Sequence, residues 1–225
     1  LRKLMNYLTC TLLNDEEIKI LKGKLNENNN NWEDGKKTAG SHAAQVKNNL
    51  QLSRNSEISK SLSKLVIKKI LANPLIKSFS LPKKIHSIMF TKSSKGMKYG
   101  RHIDNAFMSS GRADLSFTIF INEKNNYDGG ELIVENINSE NKFKLNSGEI
   151  LIYPSTYLHS VEEIKSGDRI VCVGWIESYV KSIEEREYLF DIDAGARSLL
   201  SKYGRSTDLD LIFKSYSNFL RLLSN

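Results

Sequence analysis

The sequence predicts an α+β protein whose mainly β core is an antiparallel sandwich or jelly roll, flanked by N-terminal helices and a C-terminal helical tail. Three observations carry this. From about residue 85 to 178, short apolar runs with period-two alternation are separated by turns at close intervals, the pattern of a multi-stranded antiparallel fold. On either side of that stretch the apolar residues fall instead at helical spacing. The chain has 225 residues, 40% hydrophobic and 26% charged, which suits an ordinary globular domain with an extension.

The pattern after Met5 reads as a natural start, so residues 1–4 are expected to be either an upstream extension or an offset of the numbering. The apolar stretch 8–13 is shorter than most signal-peptide cores, and no small-residue cleavage site follows. Asn14-Asp15-Glu16-Glu17 signals a helix start, an Asx cap followed by acids in the first turn. Ile18, Leu21 and Leu25 supply that helix's apolar stripe. Residues 26–31 read as a polar loop, 32–40 as turns, and 44–49 as ambiguous. Residues 56–70 form an amphipathic helix with Ile58, Leu62, Leu65, Val66 and Ile70 on one face, and Asn73-Pro74 ends or redirects it. Strands are expected at 85–90, 98–103, 114–122, 131–135, 142–145, 149–153 and 169–177. In 114–122, Leu115, Phe117, Ile119 and Ile121 alternate with Ser116, Thr118, Phe120 and Asn122, giving two distinct faces. Asp128-Gly129-Gly130 reads as the turn before a return strand. Helices are expected at 183–190, 196–203 and 209–223, the last with Leu211, Ile212, Tyr216, Phe219, Leu220 and Leu223 as its apolar face. That face packs on the core or makes a homodimer. The organisation is 1–84, an N-terminal helical or mixed region packing on the core; 85–178, the β core; and 179–225, the helical tail.

Composition bounds the function. No apolar run approaches the about 20 residues a membrane helix needs. Cys10 and Cys172 lie far apart with no CxxC pattern, which argues against a disulfide scaffold or zinc-thiolate site and favours a reducing cytoplasm. Residues 1–100 hold 19 Lys/Arg against 7 Asp/Glu, whereas 101–180 hold 7 against 12. The basic front half reads as a solvated lysine-rich surface, with nucleic acid as the alternative partner.

The residues that carry chemistry are His102, Asp104, His159 and Arg169. On an extended chain, positions i and i+2 share a face, so His102 and Asp104 can reach one metal ion. His159 follows the 149–153 strand and the Pro154-Ser155 turn and can present a third ligand. Two histidines and one carboxylate form the facial triad of non-haem iron(II) oxygenases, which leaves coordination positions open. Arg169 opens a predicted strand, where a buried guanidinium would hold a carboxylate by a bidentate pair. The bland alternative is a hydrogen-bonded surface pair, a loop histidine and an arginine paired with Asp168. His42 and His86 are each isolated and read as structural. No Gly-x-Ser-x-Gly elbow, phosphate-binding glycine loop or His-Glu-x-x-His motif is present.

Several ordered motifs then resemble one family. Tyr99-Gly-Arg-His-Ile-Asp, Arg112-Ala-Asp-Leu-Ser, Tyr127-Asp-Gly-Gly-Glu-Leu and Leu151-Ile-Tyr-Pro-Ser, followed by His159 and Arg169, are similar to the PKHD-type hydroxylases. These are iron(II)/2-oxoglutarate dioxygenases related to prolyl 4-hydroxylases. The resemblance covers most of the chain, including Gln45-Val-Lys-Asn-Asn near the front and Leu189-Phe-Asp-Ile-Asp and Ser201-Lys-Tyr-Gly near the end. It implies a double-stranded β-helix core. It also implies that His102, Asp104 and His159 ligate Fe(II) and that Arg169 binds 2-oxoglutarate. O2 would be the oxidant and ascorbate the reductant, with succinate and CO2 as co-products of substrate hydroxylation. Strand alternation alone puts Ser116, Thr118 and Phe120 in the pocket lining and Trp175 on the strand face of Arg169, with Tyr153 a further lining candidate. One departure stands out. Several relatives have a tyrosine shortly before the His-x-Asp strand, where this chain has Phe90, and the segment 92–97 is longer than usual.

The implied substrate is a prolyl or other protein side chain. Two alternatives remain at this stage: a nucleic-acid oxidative demethylase of the same chemistry, suggested by the basic first hundred residues, and a non-catalytic metal-containing jelly-roll binding module, against which Arg169 argues.

Overall fold

The computed structural model describes residues 7–27, 32–136 and 139–224. Residues 1–4, Met5 and the run of four asparagines at 28–31 lie outside that set. Two antiparallel sheets face each other. The larger has seven strands in the order Leu8–Thr11, Glu149–Pro154, Leu115–Phe120, Arg169–Ser178, Pro82–Ser93, Leu50–Leu52 and Trp32–Asp34. The smaller has five, in the order Ser139–Phe143, Leu132–Asn136, Leu158–Val161, Lys98–His102 and Lys47–Asn48. Apart from the hairpin of Leu132–Asn136 and Ser139–Phe143, most sheet neighbours are not consecutive strands, and the chain passes repeatedly between sheets, as in a jelly roll. Residues before 85 supply edge strands to both sheets.

Among the described residues, six α-helices surround the sheets: α1 (Asp15–Asn26), α2 (Ser41–Ala44), α3 (Glu57–Ala72), α4 (Pro74–Ser80), α5 (Ile183–Tyr203) and α6 (Thr207–Leu223). Asn14 and Glu17 form a reciprocal capping box on α1, satisfying two backbone donors that a helix end would otherwise leave unpaired. Leu21 and Leu25 of α1 and Leu62, Val66 and Ile70 of α3 share one core cluster with Leu115, Phe117 and Ile119 of the larger sheet. The opposite side of that sheet meets the smaller one through Phe120, Leu132, Val134, Leu151 and Val171. The strand Leu115–Phe120 is therefore buried on both faces. Its alternation separates an apolar face, Leu115, Phe117 and Ile119, from a face that carries Ser116 and Thr118.

The Arg112-Ala-Asp motif pins this strand in place. Arg112 donates from Nε and Nη2 to the two Asp114 carboxylate oxygens at 2.7 and 2.9 Å, and to the Ser178 carbonyl at 2.9 Å. The Ser178 amide returns a 2.8 Å bond to Asp114.

The structure corrects several expectations. The segment 131–135 does not return along 114–122; Leu132–Asn136 pairs with Ser139–Phe143 and Leu158–Val161 in the other sheet. The reason is local. Gly129 and Gly130 have φ of +73° and +71°, a conformation glycine adopts without a Cβ penalty, and they carry the chain across the sandwich. The two helices expected at 183–190 and 196–203 are one 21-residue helix. Its buried residues Arg186, Leu189, Asp193 and Ala196 keep helical spacing straight through Gly195. Asn73-Pro74 redirects the chain by capping α4, with the Asn73 side chain accepting from the Leu75 and Ile76 amides. Residues 32–40 contain a strand and a short 3-10 helix as well as turns.

The tail folds back on its own chain. Tyr216, Leu220 and Leu223 of α6 pack against Leu81, Val180 and Leu189, whereas Phe219 remains 50% exposed. Several lysines of the basic front half are in ion pairs, Lys37 with Glu33, Lys69 with Glu17 and Lys92 with Asp168 among them.

Candidate active site

His102 ends the strand Lys98–His102, and His159 lies directly opposite it on Leu158–Val161. Two residues of the latter strand span three of the former, so a bulge sits between Tyr99 and His102. The bulge puts these residues, three apart in sequence, on one side. Their rings stack with centroids 3.6 Å apart and planes 17° apart. Asp104 follows in the loop. Donor atoms of His102, Asp104 and His159 all lie within 4.8 Å of one another, and His159 Nε2 is 3.7 Å from Asp104 Oδ2. That separation is too long for a hydrogen bond.

The surroundings leave each of the three able to hold a metal ion. His102 Nδ1 is 2.8 Å from the Gly100 carbonyl and His159 Nδ1 is 3.0 Å from the Tyr157 carbonyl. A carbonyl can only accept, so both Nδ1 atoms carry the proton and both Nε2 lone pairs are left for a cation. Burial, and secondarily the neighbouring His159, lower the His102 pKa to about 4, so its imidazole is neutral at pH 7. Asp104 Oδ2 accepts from Ser116 Oγ at 2.6 Å and from Trp175 Nε1 at 2.9 Å. Ser116 Oγ also lies 2.7 Å from Ser155 Oγ, which extends the network to the Pro154-Ser155 turn. The donor set and its fixed tautomers fit a divalent metal with open coordination positions.

These residues line a cavity of about 340 Å³ between the sheets, the size of a small-molecule site. Arg169 lines it from the larger sheet and is 4% exposed. Its guanidinium lies over the Phe120 ring, 5.5 Å from the centroid. It has no carboxylate within ion-pair distance among the described residues, and its Nε has no hydrogen-bond partner. The buried Tyr127 hydroxyl interacts with this guanidinium but makes no hydrogen bond of good geometry. Gly130 makes room here: a Cβ on it would lie 3.0 Å from Arg169 Cδ and 3.3 Å from Tyr127. The Tyr127-Asp-Gly-Gly motif thus builds the wall around the guanidinium.

Ser116, Thr118, Tyr153 and Trp175 line the cavity. Phe120 does not; it belongs to the inter-sheet core and forms the apolar seat under Arg169. Phe90 does not line the cavity either. It is fully buried in the helix-facing core, because strand alternation turns Met89 and Thr91, not residue 90, toward the cavity. Thr91 places a hydroxyl on that wall. Tyr99 and Lys47, neither singled out from the sequence as site residues, also line the cavity. Burial, and secondarily Asp104, raise the phenol pKa values of Tyr99 and Tyr153, so both stay protonated. His42 lies outside the metal cluster, and His86 Nε2 is bonded to the Arg112 carbonyl at 2.9 Å.

Comparison with known proteins agrees with this geometry. Residues 88–177 match the model of the 2OG-Fe(II) oxygenase superfamily. A PKHD-type hydroxylase of Prochlorococcus marinus strain MIT 9312 is 74% identical over 98% of this chain and 100% of its own length. The chain belongs to the PKHD-type hydroxylases. A more distant member, from strain NATL1A, is 55% identical over the same shares. Among solved structures, a Pseudomonas putida prolyl-4-hydroxylase superposes with a TM-score of 0.57 at 15% identity, covering 77% of this chain and 92% of that one. A Trichoplax adhaerens prolyl hydroxylase, solved with a hypoxia-inducible-factor peptide fragment, gives 0.54 at 17% identity, covering 82% and 86%. At such identities the likeness establishes the fold. Membership in the family makes this PKHD-type protein a hydroxylase and implies Fe(II), 2-oxoglutarate and O2. No described helix is long and apolar enough to cross a membrane.

Proposed function

We propose that His102, Asp104 and His159 hold Fe(II), that Arg169 clamps the distal carboxylate of 2-oxoglutarate, and that the substrate is a side chain of a peptide or protein, prolyl first among them. One observation carries the site assignment: a buried guanidinium without a carboxylate partner faces the same cavity as a two-histidine, one-carboxylate cluster. An unpaired buried charge is costly, and the dianionic co-substrate supplies the missing partner. With 2-oxoglutarate bound, Fe(II) supplies oxygen activation coupled to oxidative decarboxylation, giving succinate, CO2 and a hydroxylated substrate.

The chain's own residues do the positioning. The Gly100 and Tyr157 carbonyls hold the two imidazoles in the ligating tautomer. Ser116 and Trp175 hold Asp104 at one oxygen. Arg169, seated on Phe120, fixes the far end of the co-substrate, and the protonated phenol of Tyr153 can donate to an oxygen in the cavity. Trp175 packs with Met89 and Ala113, an apolar wall that excludes water beside the Asp104 bond. Ascorbate is the proposed reductant that returns iron to the ferrous state. The proposed compartment is the cytoplasm, supported by two free cysteines.

The peptide assignment is supported by the size of the open cavity and by the peptide held by the Trichoplax structural neighbour. It is tested by incubating the Fe(II)-loaded enzyme with 2-oxoglutarate, O2 and proline-containing peptides. Succinate and a product with one added oxygen should form in equal amounts. Turnover with free amino acids and none with any peptide would overturn the peptide assignment.

A further inference from the structure

Lys47 is a buried cation that the proposed chemistry does not use. It lies on the edge strand Lys47–Asn48, in register with Tyr99 on the strand that carries His102. The residue is 4% exposed and lines the cavity. Its ammonium sits 5.2 Å from the centre of the Tyr99 ring, which itself stacks on His102. No carboxylate stands within ion-pair distance of it among the described residues. Desolvation, and secondarily Arg54, lower its pKa to about 8, with Asp104 and Asp34 acting in the opposite direction; it is still mainly charged at pH 7. Lys47 and Arg169 stand on opposite sheets, so one co-substrate carboxylate satisfies Arg169 and leaves Lys47 without an anion.

The charge balance of the cavity points the same way. Its lining holds three cations, Lys47, Arg54 and Arg169, against one carboxylate, Asp104. The Arg54 guanidinium is placed against the Met89 sulfur at 2.7 Å rather than against an acid. A divalent metal and the 2-oxoglutarate dianion cancel each other, so the surplus positive charge persists in the loaded site. A low-dielectric cleft lined by one sign of charge attracts the opposite sign. A single buried ammonium matches a single negative charge.

We infer that Lys47 is a specificity-determining residue that binds a carboxylate of the primary substrate, so the molecule hydroxylated is a free acid or presents an acidic group near the reacting carbon. This rests on the assignment of Arg169 to 2-oxoglutarate. The test uses the anaerobic Fe(II)–2-oxoglutarate enzyme, with the shift of its visible charge-transfer band as the binding signal. One probe pair is N-acetylproline against N-acetylprolinamide. The other is acetyl-Pro-Glu-amide against acetyl-Pro-Gln-amide. In wild type, the acid of at least one pair should bind tenfold or more tightly than its neutral twin. Preference in the first pair identifies a free acid, and in the second an acidic peptide neighbour. Lys47→Met should abolish the preference and leave the 2-oxoglutarate band intact, and Lys47→Arg should retain it. Equal affinities in both pairs, or no binding of either acid, would overturn the inference, and this comparison needs no variant. Loss of the band in Lys47→Met would overturn it too, by placing Lys47 in the co-substrate site. Absence of the band in wild type would instead remove the co-substrate assignment and this inference with it.

Discussion

Arg169→Met exchanges a buried guanidinium for a neutral side chain of similar length. Arg169 is 4% exposed, rests on Phe120, and has no carboxylate partner among the described residues. If it clamps 2-oxoglutarate, the variant loses up to two charge-assisted hydrogen bonds of about 1.5–3 kcal/mol each. At about 1.4 kcal/mol per decade, that predicts a Kd for 2-oxoglutarate raised about a hundredfold or more. The same substitution removes an unpaired buried charge, so the metal-free protein should melt at an unchanged or higher temperature. A structural role predicts the reverse. Breaking a buried pair costs about 3–5 kcal/mol, and for a chain of this size each kcal/mol lowers Tm by about 2–4 °C. Calorimetric titration of 2-oxoglutarate into Mn(II)-loaded protein reads the first quantity, and circular-dichroism melting of the metal-free protein reads the second. An affinity within threefold of wild type, with a melting point lowered by ten degrees or so, would refute the clamp.

The remaining predictions concern the metal cluster. Trp175→Phe keeps the wall but removes the 2.9 Å indole bond to Asp104. Metal affinity should fall by about tenfold or more, as measured by chelator competition, and an unchanged affinity would contradict the orienting role. The depressed pKa of His102 also has a consequence in acid. Below the ordinary imidazole value of 6.5 the unfolded chain takes up a proton that the folded state refuses until about pH 4. Metal-free stability should therefore decline as pH falls through that window. In urea titrations between neutral pH and about pH 4.5, His102→Gln should show a shallower decline; parallel curves would contradict the assignment.

Much of this architecture can be read from residue order. The alternation of 114–122 reveals the central strand and puts Ser116 and Thr118 on one face, because a pleated strand has a fixed period of two. The same rule applied to Phe90 needs the strand's phase, which the sequence left open, so the cavity-facing positions shifted to Met89 and Thr91. Phe120 shows a related limit. It shares its face with Ser116 and Thr118, yet it lies where Arg169 crosses the sandwich, and only the pairing of strands reveals what covers it. Motif order points to the facial triad, but the tautomer-fixing carbonyls and the Trp175–Asp104 bond depend on a bulge and on cross-sheet contacts. Lys47 lies in a short segment with no clear period, and its pairing with Tyr99 is a cross-strand contact that residue order does not reveal. Gly195 illustrates the opposite error. A glycine costs a helix interior about 1 kcal/mol relative to Ala, and the buried stripe of α5 outweighs it.

The most direct test of the account is an anaerobic titration of Fe(II) with 2-oxoglutarate, read by visible absorption, on wild type and on His159→Ala. The account predicts a chelate charge-transfer band in wild type that His159→Ala does not form, because the variant removes one of the two imidazole ligands. Iron bound to wild type without that band, or the same band in both proteins, would contradict the claim that His102, Asp104 and His159 form the centre to which the co-substrate binds.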